Sequence, residues 1–95
     1  MDLASSFTAF YETIVEDGRV GVTHISLYMA LLNQLKFEQG KNPIIINRDT
    51  IMKTAKISSR RTYNRCINQL SEYGYIQYMP SSNPLVGSVV HFKRL

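Results

Sequence analysis

The run Ile57-Ser58-Ser59-Arg60-Arg61-Thr62-Tyr63-Asn64-Arg65-Cys66-Ile67-Asn68-Gln69-Leu70 constrains this chain more than any other stretch. Placed at about 100° per residue, Tyr63, Cys66, Ile67 and Leu70 share one face of a helix, and Arg60, Arg61, Asn64, Arg65 and Asn68 fall roughly opposite. A solvent-facing side usually mixes acids with bases. This one carries three arginines, two asparagines and no acid. Arginine and asparagine are the residues that pair bidentately with guanine and adenine edges in the major groove, so the pattern reads as a helix that meets duplex DNA. The same charges also describe an ordinary solvated basic face, and the flanking elements decide between the two.

Charge is divided unevenly along the chain. Residues 1 to 47 carry Arg19, Lys36 and Lys41 against Asp2, Glu12, Glu16, Asp17 and Glu38, a net −2, whereas residues 48 to 95 carry eight bases against Asp49 and Glu72, a net +6. A basic half of this kind suits a polyanion. At 95 residues and 44% hydrophobic content, one core and one domain are expected.

Several function classes are disfavoured. One cysteine allows neither an intrachain disulfide framework nor a zinc site built on several thiolates, and Cys66 lies on the apolar face as a small buried hydrophobe. His24 and His91 have no carboxylate or thiol at ligand spacing, and no glycine-rich phosphate loop, nucleophile elbow or carboxylate pair is present. The expectation is a non-enzyme without metal or cofactor. Asp2 stands where a signal peptide carries positive charge, and the longest apolar run, Tyr28 to Leu32, is far short of the roughly 20 residues of a membrane span, so a cytoplasmic protein with no membrane partner is expected.

From the N-terminus, Leu3, Phe7, Phe10, Tyr11 and Ile14 predict an amphipathic helix over Asp2 to Val15, ended by Asp17-Gly18. Thr23 is the expected cap of a second helix that runs to about Glu38 and is closed by Gly40 and the turn Lys41-Asn42-Pro43. That helix is apolar on more than one side. Ile25, Met29 and Leu32 form one stripe, widened by Leu27, Tyr28, Leu31 and Leu35, and the excess predicts cover by the first helix and by a second copy of the chain. Ile44-Ile45-Ile46 is a strand. Asn47 caps a short helix with Asp49 in its first turn and Ile51, Met52 and Ala55 inside, and Ile57 plugs the turn before Ser58 or Ser59 caps the long helix. Gly74 is the expected left-handed residue after it. Tyr75 to Met79 and Ser88 to Arg94 alternate as strands around a turn-rich loop from Pro80 to Gly87, with Val90 and Phe92 facing inward. Tyr73, Tyr75 and Tyr78 are expected to pack with their hydroxyls in water, which weighs against base stacking on single strands. The resulting fold class is mainly α with a small antiparallel sheet.

The stretch Ile57 to Ile76 resembles the winged helix-turn-helix pattern, in which Ser-Arg-x-Thr (Ser59 to Thr62) leads through an apolar repeat to Leu-x-x-x-Gly-x-Ile (Leu70 to Ile76). His24 to Leu32 resembles a helix in the N-terminal domains of DnaD-like and phage replisome-organiser proteins. Pro80-Ser81-x-Asn83-Pro84-x-x-Gly87-Ser88 is similar to the wing of small winged-helix proteins of bacterial mobile elements. The likeness covers about residues 20 to 93. It implies three core helices, an N-terminal helix over 1–18 that serves dimerisation together with a short strand around Val20-Gly21-Val22, and a winged-helix core over 20–95 ending in a hairpin wing.

Carried onto this chain, the family pattern assigns base contact to Ser59, Arg60, Arg61 and Asn64, with Arg65 and Asn68 also among the base-contact candidates but nearer the backbone or groove edge. It assigns phosphate contact to Asn47, Arg48 and Lys53 and to Ser81, Ser82 and Asn83 of the wing, with Lys93 at the wing's far end. The wing tip lacks the usual cation, so it is expected to graze phosphates rather than enter the minor groove. Double-stranded DNA, a second copy of the chain and a replication or mobilisation protein are the expected partners. The role implied is transcription regulation or initiation of DNA replication, with a protein-interaction module as the alternative.

Overall fold

In the computed structural model, which describes residues 2–83 and 85–95, the elements follow in the order α1 (Leu3–Val15), α2 (Val22–Phe37), β1 (Ile44–Ile46), α3 (Arg48–Ala55), α4 (Arg60–Glu72), β2 (Ile76–Met79) and β3 (Ser88–Phe92). Met1, at the head of the expected N-terminal unit, and Pro84, within the expected wing loop, lie outside the described residues. The chain is thus mainly helical with one three-stranded antiparallel sheet, ordered β1-β3-β2. No described helix is long and apolar enough to cross a membrane.

Local chemistry places most boundaries. Asp2 caps α1 by accepting from the Ala4 amide, Asn47 caps α3 by accepting from Thr50, and Ser59 caps α4 by accepting from Thr62. Gly74, at φ 90°, ends α4: its amide reaches Ser71 O while that of Tyr75 reaches Leu70 O at 3.0 Å, which closes the helix in a left-handed turn. At the end of α2 the left-handed residue is Gln39, one position before the expected Gly40, which follows at φ 76°. The cap of α2 also differs from expectation. Thr23 lies inside the helix, and Gly21 occupies the cap. Glycine has no side chain to satisfy the first amides, so the imidazole of His24 turns back and accepts from the Gly21 N–H at 3.0 Å. Val20-Gly21-Val22 consequently forms no strand, because Val22 already opens α2.

α2 is the centre of the molecule. It packs against α1, α3, α4 and β1, and Leu27, Tyr28, Ala30, Leu31, Leu32 and Leu35 are buried. Much of its apolar surface is covered within the chain, while Ile25 and Met29 stay half-buried and Val22 and Phe37 are exposed at its two ends. Ser26 and His24 supply polar pins on the same helix. The Ser26 hydroxyl donates to the Ala55 carbonyl at the end of α3. With Nδ1 of His24 already accepting, Nε2 carries the proton and donates to Gln69 Oε1 on α4 at 2.7 Å.

β1 pairs with β3 in the register Ile45↔Val89, and β2 pairs with β3 in the register Tyr78↔Val90, so Ile44, Ile46, Ile76, Val90 and Phe92 all face the core. An aromatic cluster joins sheet to helices: Phe10 stacks on Tyr28 at 3.8 Å, and Tyr75 and Phe92 meet that pair edge-on.

Tyr75 departs from the expected water-facing hydroxyl. It is buried, and its O–H donates to Asp17 Oδ2 at 2.8 Å, which links the α1–α2 connection to the start of the sheet. Asp17 also accepts from the Arg19 Nε and Nη2 groups, and the Arg19 guanidinium lies over the Tyr73 ring. The Arg19 guanidinium, and then the Tyr75 hydroxyl, hold the Asp17 carboxyl well below the usual carboxylate range. Its folded pKa is depressed, so its contribution to stability is present above about pH 4, the unfolded value, and is lost as pH falls below it. Urea midpoints measured between pH 5 and pH 2 are expected to fall less steeply for Asp17→Asn than for the unaltered chain.

Two other tyrosines carry a liability. The hydroxyls of Tyr28 and Tyr63 are buried with no hydrogen-bond partner among the described residues. A buried unsatisfied hydroxyl costs about 1–3 kcal/mol. Tyr63→Phe is therefore expected to leave the melting temperature unchanged or raise it, and a clear fall would contradict that environment. Burial pushes Tyr28 and Tyr75 up to about 12 and raises Tyr63 as well. Raised folded values mean that stability is complete below about pH 10 and is lost as the pH climbs towards 12.

Candidate nucleic-acid interface

The inner face of α4 is locked by Tyr63, Cys66, Ile67 and Leu70, all buried. That burial turns Arg60, Arg61, Asn64, Arg65 and Asn68 outward, and all five are exposed. Among the described residues none of these three arginines has an ion-pair partner, although Glu72, exposed at the end of α4, lies by helical stepping on the side of Arg61 and Arg65. The rotational setting of α4 is further held by the His24–Gln69 hydrogen bond at its C-terminal half. The outcome is a rigid helix that presents unpaired guanidinium and amide groups to solvent.

The loop before α4 is equally determined. Ile57 is buried in the turn, and Lys56 takes the left-handed conformation at φ 63° that reverses the chain between α3 and α4. Ser59 serves as the helix cap, its hydroxyl oxygen accepting from the Thr62 amide at 3.2 Å and its proton left free to donate outward.

Beside Asn64 lies a groove of about 370 Å³ between the N-terminus of α3, α4 and the β2–β3 loop. Asn47, Arg48, Asn64, Ser81, Ser82 and Asn83 line it together. Six of the residues expected to contact DNA are thus gathered from three separate segments. Asn47 Oδ1 is engaged with the Thr50 amide and hydroxyl, which leaves its NH₂ to donate. Arg48 pairs with Asp49 only loosely, at 3.5 Å and open to solvent, an arrangement worth little and readily exchanged. In the loop, Ser81 and Asn83 hold each other and the following turn: the Ser81 hydroxyl donates to Asn83 O, and Asn83 Oδ1 accepts from the Leu85 amide. Their backbone positions are shaped by these bonds, while Ser82 is exposed. The return of the loop passes through Gly87 at φ 78°, where an added Cβ would lie 2.9 Å from Ile45 Cγ2 and 3.0 Å from Ile46 O. Only glycine allows the loop to close against β1 there.

Not every expected contact is gathered in the groove. Lys53 is exposed on α3 away from it. Lys93 lies at the opposite end of β3 from the loop, in a separate cleft of about 420 Å³ with Asp2, Asn42 and Arg94. Sequence reasoning missed Tyr78 and Asp49, which also line the groove. The alternation of β2 could have placed Tyr78 there. Nothing local signals Asp49, whose carboxylate serves the positive end of α3 and puts one acid at the groove's rim.

The groove and the α4 face meet at Asn64, and together they present mostly donors, guanidinium groups, amide NH₂ groups and hydroxyls, with the carboxylates of Asp49 and Glu72 at the margins. Such a surface suits an anionic, acceptor-rich partner such as a nucleic-acid backbone and the base edges beside it. Comparison of the chain with known protein families, with curated proteins and with solved structures finds no match.

Proposed function

We propose that the chain is a winged helix-turn-helix protein that binds duplex DNA, with α4 in the major groove, the N-terminus of α3 against a phosphate and the β2–β3 hairpin as a wing along the backbone. The observation that carries this reading is the exposed face of α4, with three arginines and two asparagines against the single acid Glu72 at its C-terminal end, beside a donor-lined groove. The order helix, strand, helix, helix, strand, strand from α2 onward, with β1 added to the hairpin, supports the fold part of the reading. Arg60, Arg61, Asn64, Arg65 and Asn68 would address bases, and Asn47, Arg48, Ser81, Ser82 and Asn83 would address phosphates. Lys53 and Lys93 would contribute long-range attraction rather than contact in the groove. The biological role proposed is that of a regulator of transcription or an initiator-type factor in replication.

A second reading, a protein-interaction module within a replication or mobilisation complex, is favoured by one observation. Phe7, Tyr11 and Val15 form an exposed apolar stripe on α1, with Phe7 and Tyr11 in ring contact at 4.8 Å. The same stripe would serve a homodimer. Competition separates the two. If labelled duplex is bound and is displaced by unlabelled duplex far better than by single strands, the DNA reading stands. Absence of duplex binding at low salt would transfer the weight to a protein partner.

A further inference from the structure

Asn68 is the one base-facing side chain of α4 whose orientation the fold itself settles. Its Nδ2 donates to the carbonyl oxygen of Asn64, one turn earlier, at 2.7 Å. A carbonyl oxygen only accepts, so the amide cannot be turned the other way, with Oδ1 against it. Bonding of a side chain to the backbone four residues earlier also removes rotamer freedom that would otherwise be lost on binding. The rest of the amide, Oδ1 and the second N–H, is then held as a donor and acceptor pair on an exposed residue. Asn64 itself is turned towards the donor-lined groove and the wing.

Helical stepping completes the pattern. From Arg61, Arg65 and Asn68 follow within about 40° of one line, on which Glu72 lies one turn beyond Asn68 at the helix end, whereas Asn64 and Arg60 fall progressively to the groove side. At about 1.5 Å per residue, Arg61 to Asn68 spans roughly 10 Å. That distance is about three base-pair steps at about 3.4 Å each.

We propose that Asn68 is a preorganised adenine reader and the specificity-determining residue at one end of a three-residue stripe, Arg61, Arg65 and Asn68, that reads two guanines and one adenine within about four base pairs. This inference rests on the DNA-binding reading above. Adenine alone presents an acceptor (N7) beside a donor (N6–H) in the major groove, which matches a held amide. Guanine presents two acceptors, and cytosine a donor without the adjoining acceptor.

The test is selection of preferred sites from a random duplex pool by the full chain, its Asn68→Ala variant and its Asn68→Asp variant, each checked for an unchanged thermal melt. The unaltered chain is expected to enrich an adenine close to guanines. Asn68→Ala is expected to lose preference at that one position by about tenfold or more, the discrimination of one bidentate pair. Asn68→Asp replaces the donor and acceptor pair with two acceptors, and the preferred base is expected to change from adenine to cytosine, whose N4 donates. An identical motif from all three proteins would overturn the role of Asn68 while leaving duplex binding in place. Failure of the unaltered chain to bind duplex at all would overturn the DNA-binding reading, and this inference with it.

Discussion

Replacing Arg60 and Arg61 together with alanine is expected to weaken duplex binding by about 2 kcal/mol or more, roughly 30-fold, because each arginine at a base edge contributes about 1–3 kcal/mol. Both side chains are exposed and, among the described residues, without an ion-pair partner. Their loss should therefore leave folding stability within about 0.5 kcal/mol of the starting value. Fluorescence anisotropy with a labelled duplex reads the affinity, and a thermal melt reads the fold. Lys53→Ala serves as the contrast: it lies outside the groove and should weaken all sequences by a similar, smaller factor. Unchanged affinity in the double variant would remove α4 from the interface.

The second large effect lies in the core. Leu31 is fully buried in α2, the helix that α1, α3, α4 and β1 all pack against. Leu31→Ala should cost about 2–5 kcal/mol, the transfer of the lost methyl groups plus the cavity they leave. For a domain of this size that is a fall in melting temperature of more than about 10 °C. Val22→Ala, at the exposed start of the same helix, should change stability by no more than about 0.5 kcal/mol. The loss at Leu31 should not depend on protein concentration, since that side chain is fully covered from within the chain. A concentration-dependent melt would instead point to cover by a second copy.

The parts of the fold that were legible in the sequence are those set by neighbours in the chain. Periodicity of three and four residues marks α1 and α4, an asparagine and a serine cap α3 and α4, and Gly74 ends α4 because a left-handed residue is needed there. Ile57 is recognisable as the plug of the turn because it is the single apolar residue between two polar stretches. The exposed set on α4 follows directly from its buried set, which is why every candidate base contact is found on the surface.

What was not legible depends on distant partners. Thr23 looked like a cap, but the signal rests on side-chain type, and here an imidazole three residues beyond Gly21 performs the task. The width of the apolar face on α2 could be read, yet an apolar face does not say whose atoms cover it. The pairing of β1 with β3 joins residues more than 40 apart, and the Tyr75–Asp17 bond joins residues 58 apart, with no local trace of either. The groove itself is such a product. Asn47, Asn64 and Ser82 belong to separate segments of the sequence, and only the fold puts them on the walls of one space and leaves Lys93 at the other end of the sheet.

A titration of labelled random duplex with the full chain at a series of salt concentrations tests the DNA-binding account most directly. Each phosphate neutralised by a lysine or arginine contributes about −0.9 to the slope of log K against log salt. With Arg48 placed against the backbone and Lys53 and Lys93 adding longer-range attraction, a slope of about −1 or steeper is predicted, together with weaker binding to single strands. A flat response to salt, or no duplex binding at the lowest salt, would contradict the account.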